Sequence, residues 1–325
     1  MRAPSRPKVE YRSAQREGPP VRSIRSGVSR YTLGLPLLLF AVLALAAPNF
    51  LAPQNLANIS GQITALLIVT LGQLVVALVG GIDLSVGSVV SLASCLVATQ
   101  SDPLWGITLA LALGLVVGLV NGAGVTLAGI HPLIMTLATM TFLQGFAFLV
   151  LPIPGGQIAP ELRQLVNGTL WAMPQPIWWC AVLALLVGVL LHRTRLGLHI
   201  FAVGANAHSA QLNGVRSVRV VMAAYVTCSL LAVVAGIYLA SRVASGDPTM
   251  GASFSLESVT AVALGGVQLT GGVGSVLGVI TGALSLGLIN NGINLFGVSP
   301  FLRGAITGAL LLAAVCVQRR RMVGL

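Results

Sequence analysis

The chain has 325 residues, of which 56% are hydrophobic and only 8% are charged. Ordinary soluble domains carry about 25% charged residues, so this composition excludes a soluble globule and makes the lipid bilayer the natural solvent. The net charge of +11 gathers in the first 30 positions, in 193–219 and at Arg319, Arg320 and Arg321; that pattern suits cytoplasmic segments of a membrane protein, and no groove-reading or stacking element points to nucleic acid.

Residues 31–82, 103–160 and 258–302 contain no Asp, Glu, Lys or Arg. Each stretch is long enough for two or more spans of about 20 apolar residues. The fold class that follows is all-α: a polytopic membrane protein of about ten transmembrane helices, some of them broken. Residues 1–30 form a basic tail with Pro and Ser, expected to be disordered and cytoplasmic. Residues 31–320 form the transmembrane domain, and 321–325 a cytoplasmic C-terminus.

In chain order, the first spans are expected at 31–50 and 56–79, where GGIDLS interrupts the pattern. The third covers 85–100 and the fourth 104–128. GIHP then turns the chain, because Pro132 disfavours helix at the residue before it, and the fifth span covers 132–151. Residues 152–174 read as a Pro- and Gly-rich loop in which Glu161 and Arg163 cancel. The sixth span, 175–191, opens with Trp178 and Trp179, which suit an interface anchor.

Residues 192–219 form the only internal basic segment. The seventh span is expected at 218–240 and a short eighth at 255–266. GGVQLTGGVGS is a second glycine-rich break; the ninth and tenth spans follow at 273–295 and 300–317. Ten spans place both termini and the 192–219 segment in the cytoplasm, and the near-neutral loops 152–174 and 241–254 outside. Cys95, Cys180, Cys228 and Cys316 are isolated, without metal or redox spacing.

An internal echo links the halves. GGIDLSVGSV (80–89) resembles GGVQLTGGVGSV (265–276), and NGAGVTLAGIHPL (121–133) resembles NGINLFGVSPFL (291–302). Transporters often carry such repeats, and their interrupted segments mark the translocation path. Gly114, Gly118 and Gly122, like Gly274, Gly278 and Gly282, have the spacing that lets helices approach closely. The clusters at Gly80, Gly81 and at Gly265, Gly266 instead break helices. Broken backbone survives in a membrane only where it is buried in protein or lines a wet cavity, so both breaks are expected at a path or gate.

Asp83 would cost ~3 kcal/mol at the bilayer centre unless paired, capping or wet. It is expected to cap the helix beginning at LSVGSVV by accepting from its first free amides. Asn121, Asn290 and Asn291 lie in apolar helices. They read either as interhelical hydrogen bonds or as a polar lining for a hydroxylated solute. The chain offers no catalytic residue, acid–base pair or metal-ligand cluster, and no cofactor is expected.

Taken together, GGIDLSVGSV, NGAGVTLAGIHPLIMTLATM, RTRLGLHIFAVGANAHSAQLNGV and the LGG…GGVGS…NNGINL…GVSP series resemble, in this order, the permease subunits of ribose-type bacterial ABC importers. The resemblance covers roughly residues 31–320. It implies a multi-pass permease of the bacterial inner membrane that translocates a sugar by alternating access. The implied partners are ABC ATPase subunits, a solute-binding protein and a second permease subunit, as homodimer or heterodimer.

The chain has no Gly-x-x-x-x-Gly-Lys-Ser/Thr loop, and its only lysine is Lys8, so ATP hydrolysis is assigned to a partner. Residues 193–215 look like the family's coupling segment, through Gly204, Asn206, Ala210 and Gly214. They depart from it at His208, where relatives usually show glutamate, and at Gln211; the family's two-proline turn is His131-Pro132 here. Two other readings stay open. One is a permease for another small polar solute such as branched-chain amino acids. The other is an ion-coupled secondary transporter, for which Asp83 and Arg303 are the ionisable candidates.

Overall fold

The computed structural model describes residues 30–171 and 173–317. The expected tail (all but Arg30) and Arg319, Arg320 and Arg321 lie outside the described residues. Lipid offers no partner for backbone N–H and C=O groups, so a chain this apolar must satisfy them internally, and it does so almost wholly with helices. They are α1 Arg30–Ala46, α2 Pro53–Leu78, α3 Val86–Thr99, α4 Pro103–Thr126, α5 Pro132–Val150, α6 Pro160–Asn167, α7 Gln175–Arg193, α8 Arg195–Ala205, α9 Ala207–Leu212, α10 Ser217–Val243, α11 Phe254–Leu264, α12 Val276–Leu295 and α13 Pro300–Val317. Among the described residues the one sheet is a ribbon of β1 Thr169–Leu170 against β2 Met173–Pro174.

Among the described residues six helices, α2, α4, α5, α7, α10 and α12, are long and apolar enough to cross a membrane. Each of the expected apolar stretches holds a helix, and α1, α3, α11 and α13 are the shorter ones. Proline opens α2, α4, α5, α6 and α13, a position where its missing N–H costs nothing. Two stretches between the expected spans hold more order than their composition suggests. Residues 152–174 contain α6 and the ribbon; Val166 is buried and anchors α6. The 192–219 segment folds into α8 and α9.

The layering follows burial. In α2, 94% of the most apolar window is buried, against 17% in α5 and in α7; α2 is therefore the axis, and α5 and α7 belong to the perimeter. The long α10 packs against α2, α3 and α4. The α4–α10 contact is close because Gly118 lies against the Val226 backbone, where a Cβ would fall 2.5 Å from the Val226 Cα. Gly114 and Gly122 continue the same seam, as their spacing predicts. A smaller apolar cluster of Leu43, Phe50, Ile59, Ile63 and Leu288 fastens α1 and α12 to α2.

The connections sort to two ends. At one end, Gly155 and Gly246 exchange backbone hydrogen bonds of 3.0 and 2.8 Å, Gln157 N–H donates to the Ala98 carbonyl (2.9 Å), and Asn167 donates to the Ser241 carbonyl (3.2 Å). At the other end lie both glycine breaks and the α8–α9 segment.

Candidate functional site

Both expected breaks are present. After α2 ends at Leu78, Gly80 takes φ +80°, and helix resumes only at Val86. After α11 ends at Leu264, Gly266, Gly271 and Gly272 take φ of +75°, +100° and +75°, and helix resumes at Val276. L side chains rarely adopt such angles, which is why these turns are written in glycine.

The two breaks, far apart in sequence, touch. Gly272 N–H donates to the Leu78 carbonyl at 2.9 Å, one of the carbonyls left free at the end of α2. A Cβ on Gly271 would lie 3.0 Å from the Gly80 nitrogen and 2.8 Å from the Gly204 carbonyl oxygen. Gly204 ends the α8 turn directly over this contact. A Cβ there would overlap the Leu78 carbonyl oxygen and come within 2.5 Å of the Gly272 nitrogen. Three chain segments therefore meet backbone to backbone, and each contributes glycine where a side chain would hold the others off.

Just beyond Gly80 lies a closed polar cluster. Asp83, Ser85 and Asn121 are all 0% exposed. Asp83 Oδ1 accepts from the Ser85 N–H (2.9 Å) and from the Ser85 hydroxyl (2.6 Å). Asn121 Nδ2 donates to Ser85 Oγ (2.9 Å), and Thr139 Oγ1 donates to Asn121 Oδ1 (2.7 Å). Gln73, from the middle of α2, fits its amide to the Asp83 backbone, donating to the carbonyl (3.0 Å) and accepting from the N–H (3.1 Å). Asp83 Oδ2 and the Tyr225 hydroxyl are buried without a partner.

The capping expectation needs correction. Ser85, not Asp83, occupies the N-cap position of α3. Asp83 sits two residues earlier and makes an Asx turn onto Ser85, a local bond that short Asp side chains favour. Its carboxylate thus shapes the approach to the helix instead of taking its first-turn amides.

The three asparagines go to three places. Asn121 joins the Asp83 cluster. Asn291 pairs with Asn55 of α2, donating to its Oδ1 at 2.9 Å, an interhelical tie. Asn290, one residue away on α12, turns toward Glu257 of α11 and Arg303 of α13, which form an ion pair of 2.8 Å. Sequence reading did not single out Glu257, although it falls within the expected eighth span; it lies in the first turn of α11 and is 3% exposed. It also missed Gln73, Thr139 and Tyr225. Gln73 carried a signal, as the lone amide in the apolar run 63–79.

In the 193–215 segment the four singled-out residues each have a defined place in the local structure. Asn206 caps α9, accepting from the Ser209 N–H at 2.8 Å. Ala210 is buried, and Gly214 leaves the helix at φ +82°. Gly204 faces inward, as described. The outward face of α9 is His208, Gln211 and Leu212, all exposed.

Residues 55–315 match the family described as "Branched-chain amino acid transport system / permease component". The chain is 35% identical over 294 residues to the ribose import permease protein of Escherichia coli (strain K12), covering 88% of this chain and 92% of that one. The chain belongs to this permease family. It is also 36% identical over 296 residues to the ribose import permease protein of Bacillus subtilis (strain 168), covering 89% and 92%. To an L-arabinose ABC transporter permease protein of Azospirillum brasilense it is 34% identical over 290 residues, covering 88% and 86%. No solved structure matches. As a member of this family the chain is a transport subunit of an ABC importer, and ATP hydrolysis resides in a separate ATPase.

Proposed function

We propose that this chain is the membrane subunit of an ATP-driven importer for a monosaccharide of the ribose or arabinose type, handed over by a solute-binding protein. The observation that carries the reading is identity of about a third, sustained over nearly nine-tenths of the chain, to relatives named for ribose and L-arabinose import. Ten helices cross the bilayer, α1 to α5, α7 and α10 to α13, and both termini lie in the cytoplasm of a bacterial inner membrane. Support comes from the sorting of connections to two ends, with Arg193, Arg195, Arg216 and Arg219 at the α8–α9 end, as the positive-inside rule asks. The membrane domain runs from 31 to 320, and two permease subunits enclose the path.

Alternating access then has a physical route. The ATPase binds the α8–α9 segment (193–215) on the exposed face of α9, at His208, Gln211 and Leu212. Movement of α8 reaches the breaks at Gly80–Asp83 and Gly265–Gly272 through the main-chain contact at Gly204. The polar groups beside the breaks, Asp83 and Asn121 among them, belong to the gate, and Asn290 and Asn291 line or brace the far end of the path. A bound solute shifts such an equilibrium only through differential affinity for its two states.

The test is reconstitution of the chain with its ATPase and binding protein in proteoliposomes, with labelled D-ribose, L-arabinose and L-leucine as cargo. ATP-dependent uptake of a sugar that requires all components is expected. Uptake of leucine alone would assign the chain to the amino-acid branch. Uptake by the permease alone under an ion gradient would make it a secondary transporter.

A further inference from the structure

At the end of the molecule opposite Gly204, between α2, α11, α12 and α13, lies a cavity of about 210 Å³. It is smaller than the roughly 300–1,000 Å³ of pockets for drug-sized ligands, the scale of a single sugar ring. Its floor is Glu257 and Asn290, each 3% exposed. Its wall carries Arg303, and Gln62 and Asn294 stand exposed at its rim beside Phe254.

The hydrogen-bonding inventory is incomplete from within. Glu257 Oε1 meets Arg303 Nη2 at 2.8 Å, yet the buried Asn290 Oδ1 and Arg303 Nε have no partner. A buried polar atom without a partner costs about 1–3 kcal/mol, so a group that completes the set is favoured there.

The chemistry of that group can be narrowed. The carboxylate and guanidinium cancel, so the cavity has no net charge to offer a cation or an anion. Three amides, Gln62, Asn290 and Asn294, each present both donors and acceptors. A hydroxyl is likewise donor and acceptor, so a solute with several hydroxyls can meet these amides and the ion pair at once. A branched-chain amino acid would bring two full charges to a site whose own two charges already pair with each other, whereas the ring carbons of a sugar suit the apolar part of the lining, Leu66, Leu239, Met250 and Phe254.

We propose that this cavity is a subsite for a polyhydroxylated solute of monosaccharide size, the first polar stop within the permease for cargo arriving from the end bearing Gly155 and Gly246. The inference rests on the import reading above and adds the place and the residues. Glu257 and Arg303 hold each other in position and present their outer lone pairs and N–H groups, while Asn290 reads a hydroxyl from below.

The experiment uses the full chain in lipid nanodiscs and saturation-transfer NMR, which detects weak binding, with D-ribose as probe and cyclopentanol as a ring-matched control. Saturable transfer to ribose, absent for cyclopentanol, is expected. Asn290→Leu should weaken it by at least about tenfold, as a site built for a hydroxyl loses its partner. Asn294→Leu, at the exposed rim where folding is not at stake, should weaken it as well. Ribose binding unchanged in both variants, equal binding of cyclopentanol, or no saturable transfer to the wild type would each overturn the proposal. Uptake by the reconstituted importer is scored separately. Sugar binding lost in the variants, with no ATP-dependent uptake by the wild type, keeps the subsite and removes the import reading. Uptake without cavity binding does the reverse.

Discussion

At the scale of single residues, Gly204 and Thr139 make the sharpest claims. Gly204 is held to glycine by two backbone neighbours, the Leu78 carbonyl and the Gly272 nitrogen. Gly204→Ala must push α8 off both breaks, at a cost of about 1–3 kcal/mol for overpacking. A lower midpoint in a detergent thermal melt is expected, together with loss of sugar uptake; an unchanged midpoint and unchanged uptake would remove the junction from the account. Thr139→Val deletes the donor to Asn121 Oδ1 and leaves a buried amide oxygen without its bond, a penalty of about 1–3 kcal/mol. Thr139→Ser restores the hydroxyl and should restore stability in the same melt. If Val and Ser behave alike, the bond contributes nothing.

At the scale of elements, spacing told the truth about close packing. Gly118→Leu must drive α4 from α10, since even a Cβ falls 2.5 Å from the Val226 Cα. Gly188 on α7 has nothing within 4 Å of the same position, so Gly188→Leu should be accepted by lipid. Size-exclusion profiles of the two detergent-purified variants should separate them, with aggregation confined to Gly118→Leu; matching profiles would mean that the seam is not tight.

The same comparison shows what could be read from residues alone. Apolar run lengths and the turn at Pro132 located the helices, because the bilayer leaves helix as the only local solution. The glycine clusters located the breaks, because positive φ is a local demand. What stayed hidden was every partnership across the fold. Nothing in GGIDLS announces Gln73 or Thr139, and nothing in residues 193–215 tells that Gly204 faces inward while His208 faces out. Glu257 escaped for a related reason: it falls within an expected span, but its partner Arg303 lies 46 positions later, and only the fold sets the two side by side.

For the whole molecule, the claim to test is sidedness. Gln157→Cys and His208→Cys, each in a chain with its native cysteines replaced by serine or alanine, place one thiol at each end. A membrane-impermeant maleimide added to intact spheroplasts should label position 157 and spare position 208 until the membrane is opened. Labelling of both from outside would break the ten-pass arrangement and, with it, the cytoplasmic place of α8 and α9.

The meeting of Leu78, Gly204 and Gly272 consists of peptide groups, and peptide groups are the same in every protein. On the proposed route such a joint would convey displacement without recognising what is being carried. If the Glu257 cavity holds the cargo, its residues could be exchanged for a different solute while that joint stays as it is.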